Sequence, residues 1–314
     1  MLHPQARALI DLMIERKVPP THTLSPADAR SAYRDRRALT QLAPEPVASV
    51  QDLQADGPHG PIGMRLYRPT QVRDPSRALP VLVYFHGGGW VIGDLETHDC
   101  LCRQLCNAAA CAVLAVDYRL APEHRFPSAV DDCLAATRWC RDHATQLQLD
   151  PTRMAVGGDS AGGNLAAVVA LATRDAGDPP LRLQLLIYPA TDMRCGAPSH
   201  TINGQGYLLT RDSLAYFKRH YLDGADELDW RASPLLREDL RGVAEACVLT
   251  AGYDPLRDEG LQYSQRLTEA GNGSTYLCFE RQVHGFITMD RVLDETQVAV
   301  TMLAAVLARA LHRP

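Results

Sequence analysis

Residues 158–162 read GDSAG, which has the pattern G-x-S-x-G. A short apolar run precedes the pattern and suits a buried parallel strand, while residues 164–173 (NLAAVVALAT) predict a helix packed on a sheet. A serine between such a strand and such a helix lies on a sharp turn that presents its hydroxyl as a nucleophile. Gly158 and Gly162 let strand and helix approach closely, because neither carries a side chain. Ser160 is therefore the predicted nucleophile.

A serine hydroxyl needs a base to activate it, and the base needs an acid to orient it. In the arrangement that accompanies this turn, the acid and then the histidine follow the serine, each just beyond a strand. Asp254 is the first carboxylate after a predicted strand, and we prefer it to Asp258 and Glu259, which fall on the next helix. Two histidines follow it, and His312 lies near the chain end, so His284 is the predicted base.

A glycine-rich segment, HGGG at 86–89, directly follows another apolar strand. Such a segment is also typical of a flexible turn, but after a strand it can supply backbone N–H groups to an oxyanion. We expect Gly87 and Gly88 to donate, together with the N–H of Ala161 after the nucleophile. His86 is expected to brace this segment by hydrogen bonds and not to transfer protons.

Strands alternate with helices from residue 78 onwards, which predicts an α/β fold with a mainly parallel central sheet flanked by helices. Two helices are predicted before this pattern, the second beginning at Ser25 as N-cap with Pro26 at its first position. The alternation lapses after Pro189 and resumes after Ser233. We therefore expect a cap made of residues 1–45 and 190–233, and a core made of residues 46–189 and 234–314.

Composition narrows the classes of function. The net charge of −5 does not favour nucleic acid, and no apolar run is long enough to cross a membrane. Nine cysteines without a secretion signal at the N-terminus favour reduced thiols and a cytoplasmic location. No pair in the cluster of His98 and the cysteines at 100, 102, 106 and 111 has zinc-knuckle spacing. Buried small side chains are therefore favoured over a metal site.

Five motifs resemble those of the hormone-sensitive-lipase-like esterases, in their bacterial branch and GDSAG subgroup. The motifs are HGGGW (86–90), DYRLAPEHRFPSAVDD (117–132), GGDSAGGNLA (157–166), AGYDPLRDEG (251–260) and VHGF (283–286). This resemblance implies an α/β-hydrolase fold with a helical cap and a carboxylesterase that hydrolyses short-chain esters through an acyl-enzyme. It implies Ser160, Asp254 and His284 as the catalytic triad, Gly87, Gly88 and Ala161 as oxyanion donors, no cofactor, and a homodimer as the assembly.

Two other functions use the same fold. One is an amidase or deacetylase with the same catalytic groups, and the other is a small-molecule receptor without catalysis. A receptor of this kind resembles the family but lacks a complete triad, whereas this chain has all three residues. An ester hydrolase acting on a small molecule is the predicted function.

Overall fold

One eight-stranded sheet organises the chain in the computed structural model, which describes residues 1–74 and 76–313. The strands are β1 (Ser49–Gly57), β2 (Gly60–Arg68), β3 (Leu79–Phe85), β4 (Ala112–Asp117), β5 (Leu149–Asp159), β6 (Leu183–Ile187), β7 (Ala246–Tyr253) and β8 (Ser274–Val283). Their order in the sheet is β1-β2-β4-β3-β5-β6-β7-β8. Strands β1 and β2 form a hairpin, and β2 is also antiparallel to β4. The pairs from β4 to β8 are parallel, so the predicted α/β class and mainly parallel sheet are confirmed.

Helices cover both faces of this sheet. They are α1 (Pro4–Glu15), α2 (Pro26–Thr40), α3 (Asp99–Ala109), α4 (Ser128–Asp142), α5 (Ala161–Asp175), α6 (Pro198–Ile202), α7 (Arg211–Leu222), α8 (Arg257–Glu269) and α9 (Glu295–His312). Short 3₁₀ turns occur at Thr21–Thr23, Pro234–Leu236 and Phe286–Thr288. In the described part of the chain, none of the helices combines the length and the apolar character that crossing a bilayer requires.

The core consists of two apolar layers, one on each side of the sheet. Successive side chains of a strand point to opposite faces, so β3 contributes Val81, Val83 and Phe85 to one layer and Leu82 and Tyr84 to the other. The first layer packs against α4, α5 and α8, and the second against α1, α3 and α9. A parallel sheet covered on both faces needs central strands that are apolar throughout, as β3 is.

Several local predictions from the sequence are confirmed. The side chain of Ser25 caps α2 by accepting the N–H of Asp28, and Pro26 occupies the first helical turn. Strand β8 runs to Val283, so it ends directly before His284. Helices α3 and α6 were not predicted. The five-residue α6 is too short to produce a helical pattern in the sequence.

Candidate active site

The carboxyl ends of parallel strands meet at one edge of a sheet, and there the predicted nucleophile, acid and base come together. Ser160 follows β5, Asp254 follows β7, and His284 follows β8. His284 Nε2 lies 2.9 Å from Ser160 Oγ, and its Nδ1 lies 2.7 Å from Asp254 Oδ2. A base hydrogen-bonded to a hydroxyl on one side and to a carboxylate on the other is the arrangement that activates a serine.

The turn that carries Ser160 is strained. Its φ of 56° and ψ of −116° lie in a region that residues with a side chain rarely adopt. Its N–H donates to the carbonyl of Ile187 on β6, 2.8 Å away, which holds the turn against the sheet. A Cβ on Gly162 would overlap the carbonyl oxygen of Phe85, and one on Gly158 would lie 2.5 Å from the carbonyl carbon of Gly162. The close approach predicted for these two glycines is confirmed.

Burial and a backbone donor fix the orientation of Asp254. The residue is fully buried, and its Oδ1 accepts the N–H of Leu256 at 2.8 Å. Only Oδ2 is left to face His284, so the carboxylate cannot rotate without losing a hydrogen bond. A buried carboxylate that accepts the Nδ1 proton sets the tautomer of the imidazole, with Nε2 free to accept a proton.

The two other carboxylates considered for this role have different partners. Asp258 Oδ2 accepts the N–H of Ser199 at 2.9 Å. Glu259 accepts the N–H of Thr191 at 2.6 Å and lies 2.6 Å from His200 Nε2. Burial raises the pKa of Glu259, while the hydrogen bond and charge of His200 oppose this effect. Among the described residues, neither Asp258 nor Glu259 contacts the predicted base.

Side chains after β6 hold the loop that carries the acid. Asn203 Nδ2 donates to the carbonyls of Gly252 and Asp254, each at 3.1 Å. Ser199, on α6, donates its hydroxyl to the carbonyl of Pro255 at 2.5 Å. The segment that interrupts the βα alternation is therefore bonded to the acid loop. No local pattern in the sequence indicates these contacts, because they join residues about fifty positions apart.

One predicted oxyanion donor requires correction. The N–H of Gly87 donates to Asp159 Oδ1 at 2.9 Å, so it is not directed at a substrate. Gly88 and Gly89 have φ values of 124° and 59°, and both line the cavity beside Ser160. Within the described residues, their N–H groups have no acceptor. Gly89 therefore replaces Gly87 beside Gly88 as a candidate donor.

Asp159 has a role that the sequence did not reveal. It is buried, and its carboxylate accepts the Tyr84 hydroxyl at 2.8 Å as well as the Gly87 N–H. His98 Nε2 lies 3.3 Å from its other oxygen. Burial alone raises the pKa of Asp159, but the charge of His98 and the hydrogen bonds from His98 and Tyr84 lower it below its ordinary value. An ionised Asp159 thus anchors the glycine segment, and its place before the nucleophile was the one clue available.

His86 braces the same segment, as expected. Its Nδ1 lies 2.8 Å from the carbonyl of Gly87, and its ring stacks on Tyr118 with centroids 4.3 Å apart. Burial, with a contribution from nearby His98, lowers the pKa of His86 to about 4. The imidazole is therefore neutral at ordinary pH. It packs on Tyr118 and forms a hydrogen bond with the carbonyl of Gly87.

Comparison with known proteins identifies the family of this chain. The profile of a family described as alpha/beta hydrolase fold matches residues 82–288, which include all three strand ends described above. The chain belongs to this family. The resemblance to the hormone-sensitive-lipase-like esterases is confirmed at that level, while the GDSAG subgroup stays a prediction.

Relatives of this alpha/beta hydrolase have names that refer to ester hydrolysis. It is similar to "Carboxylic ester hydrolase LipN" of Mycobacterium tuberculosis, with 43% identity covering 88% of this chain and 75% of that protein. It is also similar to "Ethyl acetate hydrolase" of Pseudomonas putida, with 40% identity covering 94% and 93%. Among solved structures, the ester-hydrolase EH1AB1 from the Lake Arreo metagenome, complexed with a bipyridine phosphonate derivative, superposes with a TM-score of 0.94. That enzyme is 44% identical, with coverage of 98% and 99%.

The cavity of the alpha/beta hydrolase opens at Ser160 and has a volume of about 120 Å³. Its floor is the strand edge with Ser160 and His284. Helix α2 contributes Tyr33 and Arg36 to the wall. Helix α7 contributes Ser213, Leu214, Phe217 and Lys218. The apolar part of the wall includes Trp90, Met193, Leu209, Leu214, Phe217 and Leu256.

The cysteines are buried side chains for the most part. All nine are unpaired, and those at 100, 102, 106 and 111 are buried on or just after α3. Burial raises the pKa of Cys106 to about 12, so it is a thiol at ordinary pH. His98, at the start of that cluster, bonds to Asp159 and Thr97. Among the described residues, no group of three or more histidine, cysteine or acidic side chains is placed to hold a metal ion.

Proposed function

We propose that this protein is a serine carboxylesterase that hydrolyses short-chain esters through an acyl-enzyme. The observation that carries the proposal is the continuous contact from Asp254 through His284 to Ser160, at the floor of a mainly apolar cavity. The names of the relatives support the same activity. The limited volume of the cavity supports the preference for short chains.

The proposed reaction has two halves. His284 Nε2 takes the proton of Ser160 as Oγ attacks the ester carbonyl carbon, and Asp254 stabilises the imidazolium. The N–H groups of Gly88, Gly89 and Ala161 bind the oxyanion, a contribution worth ~10²–10³ in turnover for each donor. His284 then protonates the departing alcohol. Water attacks the acyl-enzyme with its proton going to the same nitrogen, which releases the acid and restores Ser160.

We also propose that residues 1–45 and 190–233 form a cap over the active-site edge. Tyr33 and Arg36 from the first segment and Phe217 from the second lie in the cavity wall, which supports this division. Arg30 bonds to Glu123 at 2.6 Å and so links α2 to the core. A cap built this way decides which esters reach the serine, because it supplies most of the wall opposite the catalytic edge.

The decisive experiment compares wild type with Ser160→Ala. Turnover of p-nitrophenyl butyrate should fall by ~10⁶, because the three residues act as a unit. An organophosphate should label the wild type once per chain and leave the variant unlabelled. Wild-type turnover in Ser160→Ala would remove this serine from the mechanism.

A second experiment separates the proposed activity from its rivals. A series of p-nitrophenyl esters of rising chain length should show the highest kcat/KM at short chains, and an acetanilide should react far more slowly. Preference for the anilide would favour an amidase. No labelling by the organophosphate, together with no turnover of any ester, would favour a receptor.

The assembly and location can also be proposed. Strand β8 lies at one edge of the sheet, and we propose a homodimer formed through that edge, which light scattering would measure. Nine unpaired cysteines suit a reducing compartment, so we propose a cytoplasmic location. The proposed substrate is a small-molecule ester, and the mechanism uses no metal or cofactor.

A further inference from the structure

A second, larger chamber adjoins the cavity at the nucleophile. Its volume is about 520 Å³, and the two chambers share wall residues that include Tyr33, Arg36 and Ile92. The outer chamber lies between α1, α2, the chain that joins these helices, and the segment leading into α7. Arg36 lines both chambers, so a substrate bound at Ser160 lies in the same cavity as this side chain.

The outer chamber contains positive charge and no acid among its described residues. Its wall is largely apolar, and its charged members are Lys17 and Arg36. The inner chamber has acids, but each has its own partner. Asp192 pairs with Arg194 at 2.8 Å, while Asp159 and Glu259 have the partners described above. Lys218, the remaining cation of the inner wall, pairs with Glu227.

Arg36 differs from the other arginines of helix α2 in its partners and in its position. Three other arginines on this helix pair with carboxylates of the core, namely Arg30 with Glu123, Arg34 with Asp94 and Arg37 with Glu96. Within the described chain, Arg36 has no carboxylate within salt-bridge distance. It is also the one of these four arginines that lines the chambers.

Stacking holds Arg36 in place. Its guanidinium carbon lies 4.7 Å from the centroid of the half-buried Tyr33 ring, a cation–π contact. The N–H groups of a guanidinium match a carboxylate in a two-point hydrogen bond. A half-buried cation without a counter-ion, in the largely apolar wall of the outer chamber, favours a ligand that supplies the negative charge.

From this placement we propose that the enzyme accepts esters of which one branch ends in an ionised carboxylate, and that Arg36 binds this carboxylate. The inference rests on the proposed esterase function and specifies its substrate class. The carbonyl carbon lies at Ser160, the apolar part of the branch packs on the apolar lining of the cavity, and the carboxylate meets Arg36. Lys17, further out, provides a second positive charge for longer branches.

The test compares charged and neutral esters of equal length. On the acyl side the pair is monomethyl adipate and methyl hexanoate, and on the alcohol side it is 6-acetoxyhexanoate and hexyl acetate. Release of acid in a pH-stat gives kcat/KM for each. The ratio of charged to neutral substrate is the readout, because it cancels any general disturbance of the cavity.

Three variants complete the design. Arg36→Met should lower the ratio by ~10-fold or more for at least one pair, since a hydrogen-bonded charge pair is lost. Arg36→Lys should retain part of the preference, because the charge stays while the two-point geometry is lost. Arg34→Met is the matched control, as it removes a charge from the same helix outside both chambers, and it should leave the ratio unchanged.

Each outcome has a distinct meaning. An unchanged ratio for both pairs in Arg36→Met, with neutral esters still hydrolysed, would overturn the carboxylate proposal alone. An equal loss in Arg34→Met would also overturn it, since the effect would then be one of overall charge. Failure of the wild type to hydrolyse any of the four esters would overturn the esterase function itself, and this inference with it.

Discussion

Replacing Asp254 by asparagine tests the proposed triad through the direction of one hydrogen bond. Asp254 Oδ1 accepts the N–H of Leu256, and Oδ2 accepts from His284. An asparagine keeps its oxygen on Leu256, which turns its NH₂ group toward His284. Nδ1 must then accept, so the ring proton moves to Nε2, the nitrogen that faces Ser160. That nitrogen can no longer take the serine proton.

The expected loss is ~10⁴ in kcat, the size seen when such a carboxylate is replaced in a serine protease. KM for p-nitrophenyl butyrate should change little, because Asp254 is fully buried and does not line the cavity. The assay is steady-state hydrolysis, with circular dichroism to check folding. Asp258→Asn is the matched control, because it changes a neighbouring carboxylate that does not contact His284. A loss of less than about tenfold in Asp254→Asn would refute this account of the tautomer.

Three further predictions follow from the core around the site. His86 has a lowered pKa of about 4, so as the pH falls from about 6.5 to about 4 the unfolded state takes up a proton on this side chain and the folded state does not. The free energy of unfolding should therefore decrease over that pH range by up to about 3 kcal/mol. The urea midpoint of the His86→Asn variant should vary less with pH than that of the wild type. Gly162→Ala should lower the free energy of unfolding, measured by urea denaturation, by about 1–3 kcal/mol, because its Cβ overlaps the Phe85 backbone. Gly196→Ala is the control and should be tolerated, because its Cβ meets no atom within 4 Å. Asp159→Asn weakens the charge-assisted bond to the Gly87 N–H, so kcat should fall with little change in KM; an unchanged kcat would show that the glycine segment does not need this anchor.

The sequence could predict those features of the site that produce a local pattern. The glycines around Ser160 and the apolar strands before Asp254 and His284 each produce a signal within a few residues. Because strand ends meet at one edge of a parallel sheet, these local signals were enough to predict which residues would meet. The Ser25 cap is a prediction of the same kind, confirmed by its bond to Asp28.

Contacts over long distances could not be predicted in this way. Gly87 looked as suitable as Gly88 for an oxyanion donor, since the sequence does not show that the Asp159 carboxylate, seventy-two positions later, takes its N–H. Arg36 likewise resembled its neighbours on a polar helix. Only the position of carboxylates on other elements distinguishes it from Arg34 and Arg37.

The bonds from Asn203 and Ser199 to the acid loop have a consequence for engineering. A chimera that takes residues 190–233 from a relative would receive a new substrate wall. It would also receive the relative's residues at 199 and 203, which bond to the loop that carries the catalytic acid. The exchangeable unit is therefore 204–233, and residues 198–203 belong with the catalytic machinery when boundaries for recombination are chosen. Libraries built on that boundary can vary specificity while the proton-transfer geometry stays that of the parent.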